Sequence, residues 1–279
     1  MHDLASRTAV ITGAASGIGL GIAHALGEVG MDLVLADIED GPLATAVDAM
    51  GTYGTRALGV PTDVTDRAAV AALADAAYAA TGRVDVLCSN AGVGAFPPIA
   101  DATGTDWDWV LAVNVGGAVN CLLAFLPRMK EQAGEKHVVL TASIAGLAPL
   151  NMTIYATTKY AIVGMGESLA QESETYGYGI GVSILCPGGV ATNFGTSDRN
   201  RPGGPAGHQV SPEGRRGSNP DRVHEAMDPG DVGACVREAI VDGDLYVVPH
   251  AYTREYVDSR HARLSAAFDK SAQRQATPR

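Results

Sequence analysis

Short apolar runs alternate with longer stretches of helical periodicity along the first two thirds of the chain. Thr8–Thr12 is a β-branched run, and Asp32–Asp37 (Asp-Leu-Val-Leu-Ala-Asp) has the near-continuous apolar centre of a strand buried on both faces. Further strands are expected at Thr55–Pro61, Val84–Cys88, His137–Thr141 and Gly181–Cys186, with a weaker seventh at Leu245–Val248. Between them the spacing predicts helices at Ile18–Val29, Pro42–Met50, Asp66–Ala80, Trp107–Met129 and Tyr155–Tyr176. Asp66 falls in the first turn of its helix, where a carboxylate opposes the positive dipole end. Later helices are expected at Asp231–Val241 and Arg254–Lys270.

Strands separated by helices form βαβ units, which require parallel strands and right-handed crossovers. The expected fold is α/β: a doubly wound (Rossmann) parallel seven-stranded sheet with helices on both faces. Periodicity breaks between Thr192 and Pro229, a stretch rich in Gly, Pro, Ser and Arg. It follows directly on the C-terminal end of a strand, where open α/β sheets bind ligands, so residues 192–229 are read as a mobile substrate lid rather than an inert insertion. Residues 1–270 then form a single domain, and 271–279 a flexible tail.

Composition narrows the function classes. With 46% hydrophobic and 18% charged residues, the chain can build a sizeable core. A net charge of −11 argues against a nucleic-acid partner, which requires clustered cations. Cys88, Cys121, Cys186 and Cys235 are widely spaced and read as reduced thiols; the seven histidines show no ligand spacing, so no metal is expected. No unbroken run of 18 apolar residues occurs and no leader pattern precedes the first strand. No membrane span and a cytoplasmic location are therefore expected.

Thr12-Gly13-Ala14-Ala15-Ser16-Gly17-Ile18-Gly19 lies on the first βα turn. Its glycines let the backbone approach a pyrophosphate, and the following helix aims its N–H groups at that anion. Asp37 ends the second strand, where a carboxylate accepts bonds from adenosine ribose hydroxyls and repels a 2′-phosphate. No Arg or Lys flanks it at Ile38 or Glu39, which favours NAD over NADP. Tyr155 and Lys159 stand four apart at the start of a helix and share a face. A nearby ammonium and the positive nicotinamide favour the phenolate, moving Tyr155 from its usual pKa near ~10 towards the range of an alcohol-exchanging base. Ser143 follows the fifth strand, where its hydroxyl can orient a substrate oxygen.

These pieces, with Asp63-Val64, Asn90-Ala91-Gly92, Asn114-Val115-Gly116-Gly117 and Pro187-Gly188 with Thr192, stand in the order found in the short-chain dehydrogenase/reductase family, which the chain resembles from about residue 7 to 192. The resemblance implies an NAD-dependent oxidoreductase interconverting a secondary alcohol and a ketone, with Asn114, Ser143, Tyr155 and Lys159 catalytic. It implies cofactor contacts from Gly13, Ser16, Gly17, Ile18, Gly19, Asp37, Ile38, Asp63, Val64, Asn90, Ala91, Gly92, Tyr155, Lys159, Pro187, Gly188, Val190 and Thr192. Asp63 would bond the adenine amino group and Val64 lie by the ring. Asn90 would support the ribose and the central sheet, and Lys159 would hold the nicotinamide ribose. Asn114 would hold a water linking Lys159 to solvent, and Thr192 would lie near the carboxamide. A homo-oligomer, tetramer or dimer, is also implied, with the helices Trp107–Met129 and Tyr155–Tyr176 at one interface.

Two departures stand out. Ser89 replaces the usual first Asn before Asn90, and the Ser143–Tyr155 interval is short for the family. Phe96, Ile144, Met152 and Phe194, with Val93, Leu147 and Leu150, make the expected substrate surroundings largely apolar, suited to an aryl, terpenoid or steroid-like alcohol. Arg199, Arg201, Arg215, Arg216 and Arg222 are read as solvated lid charges in preference to partners of a substrate carboxylate. The trailing layout, Leu245–Pro249 followed by a C-terminal helix, resembles the lignin aryl-ether Cα-dehydrogenases. Rival readings are an NADPH-dependent carbonyl reductase, a non-catalytic nucleotide sensor, and a dehydratase or epimerase of the extended relatives of this fold.

Overall fold

The computed structural model describes residues 1, 3–148, 150–204 and 226–276. The expected strands all form: β1 Thr8–Thr12, β2 Asp32–Asp37, β3 Ala57–Pro61, β4 Val86–Ser89, β5 Lys136–Thr141, β6 Ile180–Leu185 and the two-residue β7 Tyr246–Val247. They build one parallel sheet in the order β3-β2-β1-β4-β5-β6-β7. Helices α1 Gly17–Gly27, α2 Asp40–Met50 and α7 Pro229–Asp242 cover one face; α3 Arg67–Thr81, α5 Gly117–Met129 and α6 Thr153–Tyr176 cover the other. Successive strand residues point to opposite faces, so a strand covered on both sides must be apolar at every position. In β1 all five residues are buried, Val10 facing the α3–α5–α6 layer and Ile11 the α1–α2–α7 layer. The strand order reverses between β1 and β4, opening a crevice at the C-terminal ends of the strands.

The helix expected over Trp107–Met129 is broken. Helix α4 Gly104–Leu111 gives way to a π turn, Ala112–Gly116, before α5 begins. A π turn inserts one residue into the helical repeat, which periodicity does not register. Asn114 inside it is fastened to the body by its side chain, as described below. By length and composition alone the stretch Gly104–Met129 is also long and apolar enough to cross a membrane, a property that unbroken apolar runs do not register. Here that apolarity packs the core, through Ala118, Cys121, Phe125 and Met129.

Capping defines several boundaries. Asp66 caps α3 by accepting from the Ala68 N–H at 2.8 Å, and Thr103 and Asp106 close a reciprocal capping box on α4. Helix α8, Arg254–Ala276, runs beyond Lys270, where a flexible tail is expected from the sequence; most of its side chains are exposed, Phe268 among them. All four cysteines are free thiols, and three are buried.

His137 on β5 is buried, with Nε2 2.8 Å from the Ser183 hydroxyl. Burial, aided by the N-terminal ammonium, pushes its pKa down to about 4. An unfolded histidine titrates near ~6.5. Between those values the unfolded chain binds a proton that the folded chain refuses, so stability is intact above the upper value and declines as pH falls through the lower. The displacement is worth about 3 kcal/mol. Thermal melts are expected to lose Tm on acidification from about pH 6.5 to 4, and His137→Gln to flatten that slope; an identical slope in the variant would assign it elsewhere.

Candidate active site

The glycine turn is shaped by two residues in the left-handed region, Gly13 at φ 65° and Gly17 at φ 55°. A Cβ on Gly13 would lie 2.9 Å from the Ala91 backbone, and one on Gly17 3.0 Å from the Thr192 methyl. The turn is thus pressed against two other segments expected at the site. Ser16 precedes α1 in an extended conformation, and no side chain caps the helix. Its first-turn N–H groups, at Gly17, Ile18 and Gly19, therefore suit an anion. The Ser16 hydroxyl instead donates to Asn193 Oδ1 at 3.1 Å.

Asp37, at the end of β2, accepts from the Ala15 N–H at 3.0 Å and the Glu39 N–H at 3.1 Å. Burial raises its pKa, and the two backbone bonds pull it back. Beside it Ile38 is 49% exposed, an apolar surface next to the carboxylate. Uncapped helix amides, a ribose-type carboxylate and an adjacent apolar shelf are together a donor set that fits a dinucleotide. Asp63 instead turns its carboxylate onto Thr65, accepting from its N–H at 2.9 Å and its hydroxyl at 2.8 Å, while Val64 is buried against Gly117.

Asn90 is a hub. Its Nδ2 donates to the Thr12 carbonyl at 3.0 Å and the Gly13 carbonyl at 3.3 Å, and its Oδ1 accepts from the Thr141 hydroxyl at 3.1 Å. The Thr12 hydroxyl in turn accepts from the N–H groups of Asn90 and Ala91. The ends of β1, β4 and β5 and the glycine turn are locked into one unit. Thr12 and Thr141 escape sequence reading, because a threonine at a strand end carries no mark of its long-range partner.

Ser143, Tyr155 and Lys159 meet at the end of β5. The Ser143 side chain acts on the Tyr155 hydroxyl, and its own hydroxyl donates to the Pro187 carbonyl at 3.4 Å. Lys159 is 3% exposed; its Nζ donates to the Thr141 carbonyl at 2.8 Å and stands 5.5 Å from the Tyr155 ring centre. The expected lowering of the tyrosine also counts on the nicotinamide charge; the chain's own groups shift it the other way. Burial of the hydroxyl dominates and pushes Tyr155 up to about 12, with the Ser143 bond pulling the other way. Burial also brings Lys159 down to about 8, which weakens the ammonium counted on to hold a phenolate.

Asn114 is buried, and its Oδ1 accepts from the Val93 N–H at 2.8 Å. Its Nδ2 donates to the Val93 carbonyl and the Thr158 hydroxyl, both at 3.0 Å. The amide therefore rivets the π turn to the β4 loop and to α6. A Cβ on Gly92 would lie 3.4 Å from Asn114 Oδ1 and 3.5 Å from Lys159 Nζ, so this glycine sits between the two. Within the short Ser143–Tyr155 interval, Ile144–Gly146 forms a single 3₁₀ turn lying on the Lys159 backbone.

Phe96 and Phe194 are brought onto Tyr155. Ring centres are 5.5 Å apart for Phe96–Tyr155, 5.4 Å for Tyr155–Phe194 and 6.0 Å for Phe96–Phe194. Ile144 is buried beside Ser143, Met152 precedes α6 partly exposed, and Val93 packs with Trp109 and Ile154. The run Asn193–Asn200 crosses the crevice: Asn193 meets Ser16, Phe194 meets Tyr155, and the Ser197 hydroxyl accepts from the Gly94 N–H at 3.1 Å.

Two of the lid arginines are paired with carboxylates of the chain itself, Arg199 partly exposed and Arg201 shielded. Arg199 grips Glu39 with Nε at 2.9 Å and Nη2 at 2.7 Å, and Arg201 grips Asp106 at 2.5 Å. Arg215, Arg216 and Arg222 lie outside the described residues. The Arg199 bond holds Glu39 below the usual carboxylate range. Held by Glu39 from 160 positions along the chain, a cation thus stands close to Asp37, which the local sequence does not reveal.

Comparison with known proteins places the whole chain in one family. Residues 7–202 match the family described as short chain dehydrogenase. The chain is 31% identical to a C alpha-dehydrogenase of Sphingobium sp. over 282 residues, covering all of this chain and 90% of that protein. It is 37% identical over 195 residues to the 1-deoxy-11-beta-hydroxypentalenate dehydrogenase of Streptomyces avermitilis, covering 69% of this chain and 71% of that one. The structure superposes on a short chain dehydrogenase/reductase from Burkholderia phymatum solved in complex with NAD, with TM-score 0.86, 35% identity and coverage of 96% and 97%. The chain belongs to the short-chain dehydrogenase/reductase family of Rossmann-fold oxidoreductases.

Proposed function

We propose that the protein is an NAD-dependent oxidoreductase interconverting a secondary alcohol, best an aryl carbinol, and its ketone. The observation that carries this reading is the convergence of the Ser143 and Tyr155 hydroxyls and the Lys159 ammonium at the C-terminal end of β5. The first-turn amides of α1 would hold the pyrophosphate, Asp37 and Ile38 the adenosine ribose, and Lys159, Pro187, Gly188, Val190 and Thr192 the nicotinamide end. When bound, the dinucleotide supplies the two-electron acceptor or donor.

The chain's own residues do the rest. Tyr155 gives a proton to the carbonyl oxygen in reduction and takes it from the hydroxyl in oxidation. Ser143 holds that oxygen by donating its hydroxyl proton. Lys159 relays the proton past Gly92 towards the π turn at Asn114. Because burial keeps the phenol protonated, reduction starts from the form Tyr155 already occupies, whereas oxidation must first remove its proton. Oxidation rates are therefore expected to climb through the alkaline range while reduction does not.

The Phe96–Tyr155–Phe194 rings meet at tilted and edge-on angles of 65°, 61° and 59°, a surface that accepts another ring at the reacting hydroxyl. This supports an aryl substrate, and the C alpha-dehydrogenase likeness points the same way. Asp37 supports NAD over NADP: a 2′-phosphate would meet a carboxylate, and the guanidinium of Arg199 nearby is engaged by Glu39 through Nε and Nη2 and by the Thr196 carbonyl through Nη1. Residues 193–204 are read as part of the substrate lid, and a homo-oligomer joined through α5 and α6 as the working assembly.

A screen of secondary alcohols with NAD⁺ and with NADP⁺, followed by absorbance of the reduced cofactor, tests the proposal. Aryl carbinols with NAD⁺ are expected to turn over fastest. A preference for NADP⁺ would displace the cofactor reading in favour of the NADPH-dependent reductase, and binding of NADH with no turnover of any alcohol or ketone would favour a nucleotide sensor.

A further inference from the structure

We infer that His250 is a positioning residue for the nicotinamide end of the site, acting through the backbone of Gly188 and Gly189. The inference rests on the cofactor placement proposed above. His250 lies beyond the residues 7–202 matched by the family and is 4% exposed.

Its ring reads two adjacent peptide groups. Nδ1 accepts from the Gly188 N–H at 3.0 Å, and Nε2 lies 2.9 Å from the Gly189 carbonyl. A ring that accepts on one nitrogen and meets a carbonyl with the other is neutral, with its proton on Nε2. The Tyr252 hydroxyl accepts from the Gly189 N–H at 3.4 Å, and the Tyr252 ring stands edge-on to the imidazole with centres 5.5 Å apart. A Cβ on Gly188 would lie 2.7 Å from that hydroxyl and 3.1 Å from the imidazole Cγ, so the absence of a side chain there lets both rings close on the loop. His250 is itself fixed, because its carbonyl accepts from the Thr253 N–H at 3.0 Å and the Thr253 hydroxyl at 2.7 Å.

The opposite side of the same loop belongs to the reacting centre. The Pro187 carbonyl accepts from the Ile144 N–H at 3.0 Å and lies 3.4 Å from the Ser143 hydroxyl. His250 thus sets a loop whose other edge touches the serine on Tyr155. The ring is not needed to attach the C-terminal segment. That is done by the sheet, with Ile184 N–H on the Leu245 carbonyl at 2.7 Å and Cys186 N–H on the Val247 carbonyl at 2.8 Å.

His250→Phe keeps a ring and removes both polar atoms; His250→Gln offers an amide that can again accept from an N–H and donate to a carbonyl. In the cofactor-free protein, exchange of the Gly188 and Gly189 amides is expected to quicken in the Phe variant. Its Kd for NADH by fluorescence titration is expected to rise about tenfold and its kcat to fall by a similar factor, with the alcohol KM little changed. The Gln variant is expected to recover most of each loss. Should the Phe variant fold poorly, Tyr252→Phe is expected to move the same readouts in the same direction, by less. Unchanged exchange, Kd and kcat in a folded variant, or losses that follow Tm and are not recovered by Gln, would overturn the inference alone. Wild-type protein that binds neither NADH nor NADPH would overturn the cofactor placement, and this inference with it.

Discussion

Tyr155→Phe is expected to lower turnover by about a thousandfold in both directions while NADH affinity and Tm stay near wild type. The substitution removes one oxygen from a position where burial already disfavours charge and Ser143 opposes that effect. Ser143 keeps its other contacts, accepting from the Ala145 N–H at 3.1 Å and facing the Pro187 carbonyl, so no buried group is stranded. The phenyl ring would preserve the packing on Phe96 and Phe194. Stopped-flow turnover, with NADH titration and melting in parallel, checks it. Activity within tenfold of wild type would remove Tyr155 from the chemistry; a joint fall in Tm and affinity would make its role structural.

Arg201→Ala is expected to cost about 3 kcal/mol of stability, the low end for breaking a shielded ion pair from one side. The side chains of Arg201 and Asp106 are 8% and 2% exposed. Burial would raise the Asp106 carboxyl, but the hydroxyl and amide of Thr103 and the Arg201 guanidinium hold it down to about 2. Without the guanidinium, Asp106 keeps only its capping-box partners, and the Arg201–Trp109 stacking at 5.4 Å is lost as well. The same change unlatches the segment that carries Phe194 onto Tyr155, so the alcohol KM is expected to rise with little change in NADH affinity. A double-mutant cycle with Asp106→Asn, read by denaturant melts, isolates the pair. Additive effects would show that the two residues do not depend on each other.

The elements with strong local signatures were the legible ones. Asp32–Asp37 reads as a strand at the observed bounds, because a four-residue apolar run framed by two aspartates has no competing periodicity. The Trp107–Met129 helix was legible as helix but not as two pieces, since the Asn114 rivet that accompanies its π turn joins residues 21 and 44 positions away. Phe96 and Phe194 could be named as apolar neighbours of the site; that they close on the tyrosine ring depends on a segment crossing the crevice.

The order of the chain's own residues determined the parallel sheet, the glycine turn, and Tyr155 and Lys159 on one helical face. These follow from repeats of two and 3.6 residues and from the few conformations that glycine alone adopts easily. Tertiary structure decided which charge effect prevails at Tyr155, which acids hold Arg199 and Arg201, and that His250 grips the Gly188–Gly189 backbone. Desolvation and hydrogen-bond partnership depend on which distant segments exclude water around a group, and spacing along the chain carries no record of that.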